Sequence, residues 1–556
     1  MTRRRGTLTA LLAAVALVLA GCAGLPTAGP VNPGLPADAE AGNPDFAFQP
    51  DSPQPGATPE EIVDGFIRAG TGPGADGNWS VAREYLAPGS GWDPRAGVTI
   101  DRPGDRVFSA PSEGEVVLTL TPVGNVDDIG SYAQAEERST TVPFQLALQE
   151  DGEWRITEAP AGIILDTSQF STVFRRASLM YFDPTGQFLV PDLRWFPGIN
   201  AATYVTDALV EGPAPWLAAS VVSAFPDSVS LRPSVPVDDG IAEVVLGSSA
   251  IELSADTLSR MQAQLTATLR TVGVSSVAMS AGATPLDVEP ASTRSTRVNT
   301  LPLVLTAEGF GFLSGERLEP IEGLSPALMT VDPVAIQVSP ERDFAAVKLT
   351  TGAVARVEAD GDILEFDPRA ALIEPTVDPF GYSWSVPRDV PGALAAFAPG
   401  SEQIAIAGAW PEATQVTAMS LSRDGTRLAA VVVTGGQTAV WVSGVVRDVE
   451  GVPSALGEPA RLLATLAEPG TALAWLDDTT VAVLTRSGGE SEAVELLVGG
   501  PTLATDAPAG SAQVAGAQGA MRVKDAAGAL YSRRGATWPQ TASGIVVLAT
   551  QQGSPR

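Results

Sequence analysis

Leu421-Ser422-Arg423-Asp424-Gly425-Thr426-Arg427-Leu428-Ala429-Ala430-Val431 decides how the C-terminal half of the chain is read. A serine introduces a polar turn, Asp424-Gly425 supplies turn chemistry, and an apolar strand follows. The phrase returns upstream as Val338-Ser339-Pro340-Glu341-Arg342-Asp343-Phe344-Ala345-Ala346-Val347. It returns downstream, more weakly, as Trp475-Leu476-Asp477-Asp478-Thr479-Thr480-Val481-Ala482-Val483. Ser339 and Ser422 lie 83 residues apart, about twice the ~40–45 residues of a propeller blade. Val347-Lys348-Leu349, Ile404-Ala405-Ile406, Leu428 to Val433, Val440-Trp441-Val442 and Val481 to Leu484 read as strands between turns. Residues 295–552 therefore read as an all-β, degenerate propeller of about six blades, with five to seven allowed. A pair of β-sandwiches is the alternative. Propellers bind at an end face or central channel, and the fold alone does not name what binds.

Upstream the pattern changes to α+β. Leu179-Met180-Tyr181-Phe182 is a strand, Asp183-Pro184-Thr185-Gly186 a turn, and Phe188 to Pro191 the returning strand. A helix containing Tyr204, Ala208, Leu209 and Val210 ends at Gly212-Pro213. After Ala224-Phe225-Pro226 comes an expected strand pair, Ser230-Leu231-Arg232 with Ala242 to Val245. A helix from about Ala255 to Thr271 places Leu258, Met261, Leu265 and Leu269 near one face. Val274 to Met279 closes the unit as a strand. This order, with Gln264-Leu265-Thr266-Ala267-Thr268-Leu269 late in it, resembles the GerMN domain over residues 176–290. The resemblance implies a binding or interaction module with no established catalytic residues.

Residues 58–170 read as a smaller α+β domain. Thr58-Pro59-Glu60-Glu61 offers a capped helix start, with Ile62, Val63, Phe66 and Ile67 on one face. Trp79, Ala82, Tyr85 and Leu86 suggest a second helix. The run Glu115 to Thr121 alternates like a strand, and Pro143 to Leu148, Glu150-Asp151-Gly152 and Trp154 to Ile156 read as a hairpin. Two helices followed by a curved sheet is the expectation, and the cone-shaped NTF2-like type is one candidate for it. Residues 22–57, punctuated by prolines from Pro26 to Pro55, read as a tether.

The N-terminal stretch reads as an export signal. Arg3, Arg4 and Arg5 precede an apolar run from Leu8 to Ala20. That run is 13 residues, short of the ~20 a spanning helix needs. Leu19-Ala20-Gly21-Cys22 resembles the lipobox of bacterial lipoproteins. The resemblance implies that residues 1–21 are removed by cleavage between Gly21 and Cys22. Cys22 would then carry S-diacylglycerol on its thiol and palmitate on its new amino group. Two or more acyl chains anchor stably where one does not. The expected location is the extracytoplasmic face of the cell membrane.

Composition excludes several classes of chemistry. Removing Arg3 to Arg5 leaves 31 basic against 64 acidic residues, a net charge of −33. Nucleic acid is not an expected partner. The chain has no histidine and Cys22 is its only cysteine, so a Ser-His-Asp triad or a Cys/His zinc site cannot be built. Neither Lys348 nor Lys524, the only lysines, has a serine three residues earlier, which removes the Ser-x-x-Lys site. No phosphate-binding glycine loop ending in Lys-Ser or Lys-Thr is found. Carboxylate chemistry remains, and an envelope glycan hydrolase or lyase using a carboxylate pair on the propeller is the alternative reading. The acids of Asp151-Gly152, Asp239-Gly240, Asp360-Gly361 and Asp424-Gly425 read first as turn residues. Asp360 and Asp362 offer only a weak calcium reading. No catalytic residue, cofactor or metal is expected.

Taken end to end, the chain resembles the actinobacterial LpqB lipoprotein family. The resemblance rests on Leu19-Ala20-Gly21-Cys22, Gly24-Leu25-Pro26-Thr27-Ala28-Gly29-Pro30-Val31, the 176–290 pattern and Leu421 to Arg427. It implies a non-enzymatic accessory protein of the MtrAB two-component system, with the extracellular domain of the MtrB sensor histidine kinase as partner. It further implies a membrane contact through the lipid, an effect on envelope homeostasis and division, and room for an envelope ligand. Only Cys22 is carried over as a defined functional residue.

Overall fold

The computed structural model describes residues 50–400 and 402–555. Gly21, Cys22, the signal peptide and most of the tether lie outside the described residues. No helix among those described is long and apolar enough to cross a membrane.

Thr58 starts the first helix, Pro59–Ala69, by a reciprocal cap: its hydroxyl accepts from the Glu61 N–H, and the Glu61 carboxylate accepts from the Thr58 N–H at 2.8 Å. Ile62, Val63, Phe66 and Ile67 are buried, and Phe66 meets Trp92 and Phe144 edge-on at 5.0 and 6.2 Å. A short helix, Ser80–Glu84, follows. The strands form two four-stranded sheets rather than one curved sheet. The break falls where Glu115–Leu120 passes into Pro122–Val126. Pro122 has no N–H to continue the first ladder, so the chain leaves one sheet and enters the other.

The middle domain opens with a long antiparallel hairpin, Phe174–Phe182 with Leu189–Pro197. Asp183 holds its turn by accepting from Phe188 N–H at 2.6 Å and Thr185 N–H at 3.0 Å. Helix Ala255–Arg270 buries Leu258, Met261, Leu265 and Leu269 and crosses between two parallel strands, Ile241–Leu246 and Ser276–Ala281. The expected strand at Ser230-Leu231-Arg232 is corrected to a single bridge, Leu231 to Leu246. Pro226, Pro233 and Pro236 crowd this stretch and withhold the donors a ladder needs.

The remainder is a propeller of six blades among the described residues. Blade one takes its inner strand, Ile545–Gln551, from the far end of the chain and adds Leu303–Thr306, Phe310–Ser314 and Arg317–Glu319. Blades two to six start at Pro333, Thr376, Gln415, Ala472 and Ser511. The last strand pairs antiparallel with Leu303–Thr306 and parallel with Pro333–Val338, which closes the ring. Blade four is irregular: the two halves of Gln437–Arg447 pair with different strands, Arg461–Leu466 and Pro453–Leu456.

All three domains pack into one compact body. Trp195, on the middle-domain hairpin, meets Phe170 and Tyr132 of the N-terminal domain with centroids at 4.8 and 6.5 Å. Its indole N–H donates to Gly499 O of blade five at 2.8 Å. One apolar core runs from Leu179, Leu209 and Leu265 into Val431, Val442 and Val481 of the propeller.

Candidate functional site

The phrases that identify the propeller form the turns after its inner strands. In two of them a serine hydroxyl does the same work. Ser339 Oγ accepts from Phe344 N–H and donates to Asp343; Ser422 Oγ accepts from Arg427 N–H and donates to Asp424. The third phrase has Leu476 in place of serine, and Asp477 instead accepts from Thr479 and Thr480 N–H, each at 2.8 Å. Blade three does this with Asp378, which accepts from Phe380 and Tyr382 N–H at 3.0 and 2.9 Å. That fourth version, in Asp378-Pro379-Phe380-Gly381-Tyr382, carries neither serine nor Asp-Gly, so the sequence pattern does not expose it.

Charge accumulates behind these turns. Asp378 and Arg447 form a fully buried pair at 2.8 Å. Asp424 pairs with Arg427, whose other nitrogen donates to Asp478 O at 2.7 Å. Arg423 reaches across to Trp475 O and Gly516 O at 3.0 and 2.9 Å. Burial pushes the Asp424 carboxyl up, but Arg427, Ser422 and Thr426 outweigh it and hold the group below its ordinary value. Burial wins at Asp478, which is raised despite its bond from Thr296 Oγ1.

The inner strands enclose a central channel. Neighbouring blades are joined by side chains: Gln337 Oε1 accepts from Val377 N–H, Thr376 Oγ1 from Leu421 N–H, and Gln513 Oε1 from Leu548 N–H. Gln552 spans the end nearest the phrases, donating to Ser422 O at 2.6 Å while its Oε1 accepts from Gln337 at 3.4 Å. Glu374, Thr376, Gln513 and Thr550 also line the channel. Water reaches Glu374, yet protein surrounds it; burial pushes its carboxyl up, and Lys348 partly offsets this. The cavity between is about 40 Å³, room for about three waters rather than a sugar.

The acids expected in turns are there. Asp151 Oδ1 accepts from Glu153 N–H and Asp360 Oδ1 from Asp362 N–H. Asp239 adopts φ 48° beside Gly240 at 77°. Asp424 differs: its turn carboxylate is fully buried and ion-paired. No three His, Cys, Asp or Glu side chains converge as a metal site among the described residues. Glu374, Gln552 and Arg447 are missed by sequence reasoning. Lys348 is visible in the sequence only as one of two lysines, without a role.

Three family models match successive stretches. They are described as lipoprotein LpqB, N-terminal domain, over residues 52–171; sporulation and spore germination, over 178–287; and lipoprotein LpqB beta-propeller domain, over 307–548. The chain belongs to the LpqB lipoprotein family. An LpqB of Rhodococcus opacus is 34% identical over 275 residues, covering 47% of this chain and 44% of that relative. This chain is therefore matched to less than half the length of that relative. The LpqB of Streptomyces avermitilis is 26% identical over 577 residues, covering 91% of each chain. Among solved structures, a putative TolB from Agrobacterium tumefaciens has a TM-score of 0.30 at 13% identity, covering 40% of this chain and 87% of that chain. The LpqB-type propeller is thus the one whose channel Gln552 spans and whose inner ring is stitched by Gln337, Thr376 and Gln513.

Proposed function

We propose that this protein is a lipid-anchored, extracytoplasmic accessory protein without enzymatic activity. It is held at the membrane through Cys22 and modulates an MtrAB-type two-component system by binding the extracellular domain of the MtrB sensor kinase. Through that system it influences envelope homeostasis and division. The observation that carries the reading is the single compact body joined at Trp195, with a propeller channel whose cavity is only about 40 Å³. Such a body offers outer surfaces to a macromolecular partner. Family membership supports the accessory role, and a lipid at Cys22 keeps it beside a membrane kinase.

The mechanism is differential binding. A partner shifts a kinase between two states only by its preference for one of them. A preference of about tenfold corresponds to ~1.4 kcal/mol of coupling, ample for regulation. The test is autophosphorylation of the membrane-reconstituted kinase with and without the lipidated protein. A saturable change of about fivefold or more, within the usual coupling range, is expected. Unchanged output at saturating protein, with the lipid present, contradicts the proposal.

A further inference from the structure

We infer that the propeller channel binds a calcium ion at the Glu374 carboxylate, with neutral oxygens and water completing its shell. Residues of all six blades line the cavity of about 40 Å³. That volume holds about three waters, or an ion with part of its hydration. Glu374 is the only charged side chain that lines it among the described residues.

Glu374 lacks a partner at contact distance. Among the described residues no hydrogen bond reaches its carboxylate and no ion pair closes on it. Lys348 acts on it from beyond ion-pair distance and offsets only part of the effect of burial. A carboxylate keeps its charge in such surroundings when a cation sits against it. Water reaches the side chain, so a small ion can too. The donors around the cavity are committed elsewhere. Gln337 Oε1, Thr376 Oγ1 and Gln513 Oε1 take up the N–H groups of Val377, Leu421 and Leu548. The Gln337 amide donates to Gln552 at 3.4 Å, and the Gln513 amide to Val334 O at 2.8 Å. The Ser420 and Thr550 hydroxyls, which line the same cavity, make no hydrogen bond to protein among the described residues. Their oxygens are free to face an ion.

The donor set selects the ion. One carboxylate with hydroxyls and water suits a hard cation. Calcium accepts roughly six to eight oxygens in irregular geometry, waters among them, whereas magnesium demands a near-ideal octahedron. Side chains contributed by six separate blades form an irregular set. A cluster of three acids, absent among the described residues, is not needed where water fills the remaining positions. A single carboxylate, partly offset by Lys348, makes a weak site. The expected dissociation constant is about 1 mM, in the range of extracellular calcium modules. Such an ion would tie the inner strands together across the channel. This inference stands apart from the kinase proposal.

The test is calorimetric titration of the chain from residue 23 onward with calcium chloride and, separately, magnesium chloride. Potassium chloride at about 0.15 M screens the acidic surface. Glu374→Gln and Thr550→Val are compared with the parent, and thermal melting checks that each folds. One saturable calcium site in the parent, weakened about tenfold or more by Glu374→Gln and less by Thr550→Val, is expected. Calcium should also raise the melting temperature of the parent and leave that of Glu374→Gln unmoved. Magnesium binding that matches calcium and is lost in Glu374→Gln supports the site with a wider choice of ion. No saturable site for either ion up to about 10 mM, beyond the range of extracellular modules, overturns the inference. A site that folded Glu374→Gln retains unchanged also overturns it.

Discussion

Asp424 and Asp478 share one buried cluster with Arg427 yet are pushed in opposite directions. A carboxyl depressed in the fold stabilises above its unfolded pKa, and that stability is lost as pH falls through the folded value. A carboxyl raised in the fold does the reverse: its contribution is present below the unfolded value, about 3.9, and is lost as pH rises through the folded one. Asp478→Asn fixes the neutral form and retains an acceptor for Thr296. It is expected to raise the melting temperature at neutral pH, with the gain shrinking as pH falls through the raised folded value and gone below about 4. A gain that is constant with pH, or a loss at pH 7, contradicts the assignment. Asp378 is a simpler case. It satisfies two N–H groups, the Trp384 indole and Arg447 at once. Asp378→Ala strands the Arg447 charge and is expected to cost about 3–5 kcal/mol in chemical unfolding. Little of this was legible in the sequence. Asp424-Gly425 reads as an ordinary turn, and Arg447 lies on a strand with nothing in its neighbours to announce a buried partner.

At the scale of the element, the local signals are read well. The Thr58 cap and the buried stripe of Ala255–Arg270 follow from side-chain spacing along the chain. The phrase around Ser422 is legible because a hydroxyl, a carboxylate and a following apolar strand recur at Ser339. Blade three escapes because Asp378 performs the serine's task from a different residue type. The strand expected at Leu231 fails because prolines override its apolar pattern. Blade spacing depends on contacts with no local signature. Gly516 lies against blade five, where an added Cβ would stand 2.5 Å from Trp475 O and closer still to Leu476 Cα. Gly516→Ala must push two backbones apart, and a loss of about 1–3 kcal/mol is expected in chemical unfolding. An unchanged midpoint would mean that the joint between blades five and six is slack.

At the scale of the whole molecule, the propeller is closed by Ile545–Gln551, a strand that finds its partners at the other end of the domain. Sequence order gives the three domains but no hint that Trp195 joins them. Its neighbours in sequence form an unremarkable hairpin, while its ring and N–H contact the other two domains. Trp195→Ala is expected to cost about 3 kcal/mol and to split a single calorimetric transition into two. A variant that still melts in one transition at the parent temperature contradicts the shared core. The role proposed for this compact body is to bind a sensor kinase rather than to catalyse a reaction. The most direct test is calorimetric titration of the chain from residue 23 onward with the extracellular domain of an MtrB-type kinase. A saturable one-to-one heat at micromolar concentration, about −8 kcal/mol, is the predicted result. No heat at tens of micromolar, with hydrolysis of envelope glycan by the same preparation, would contradict it.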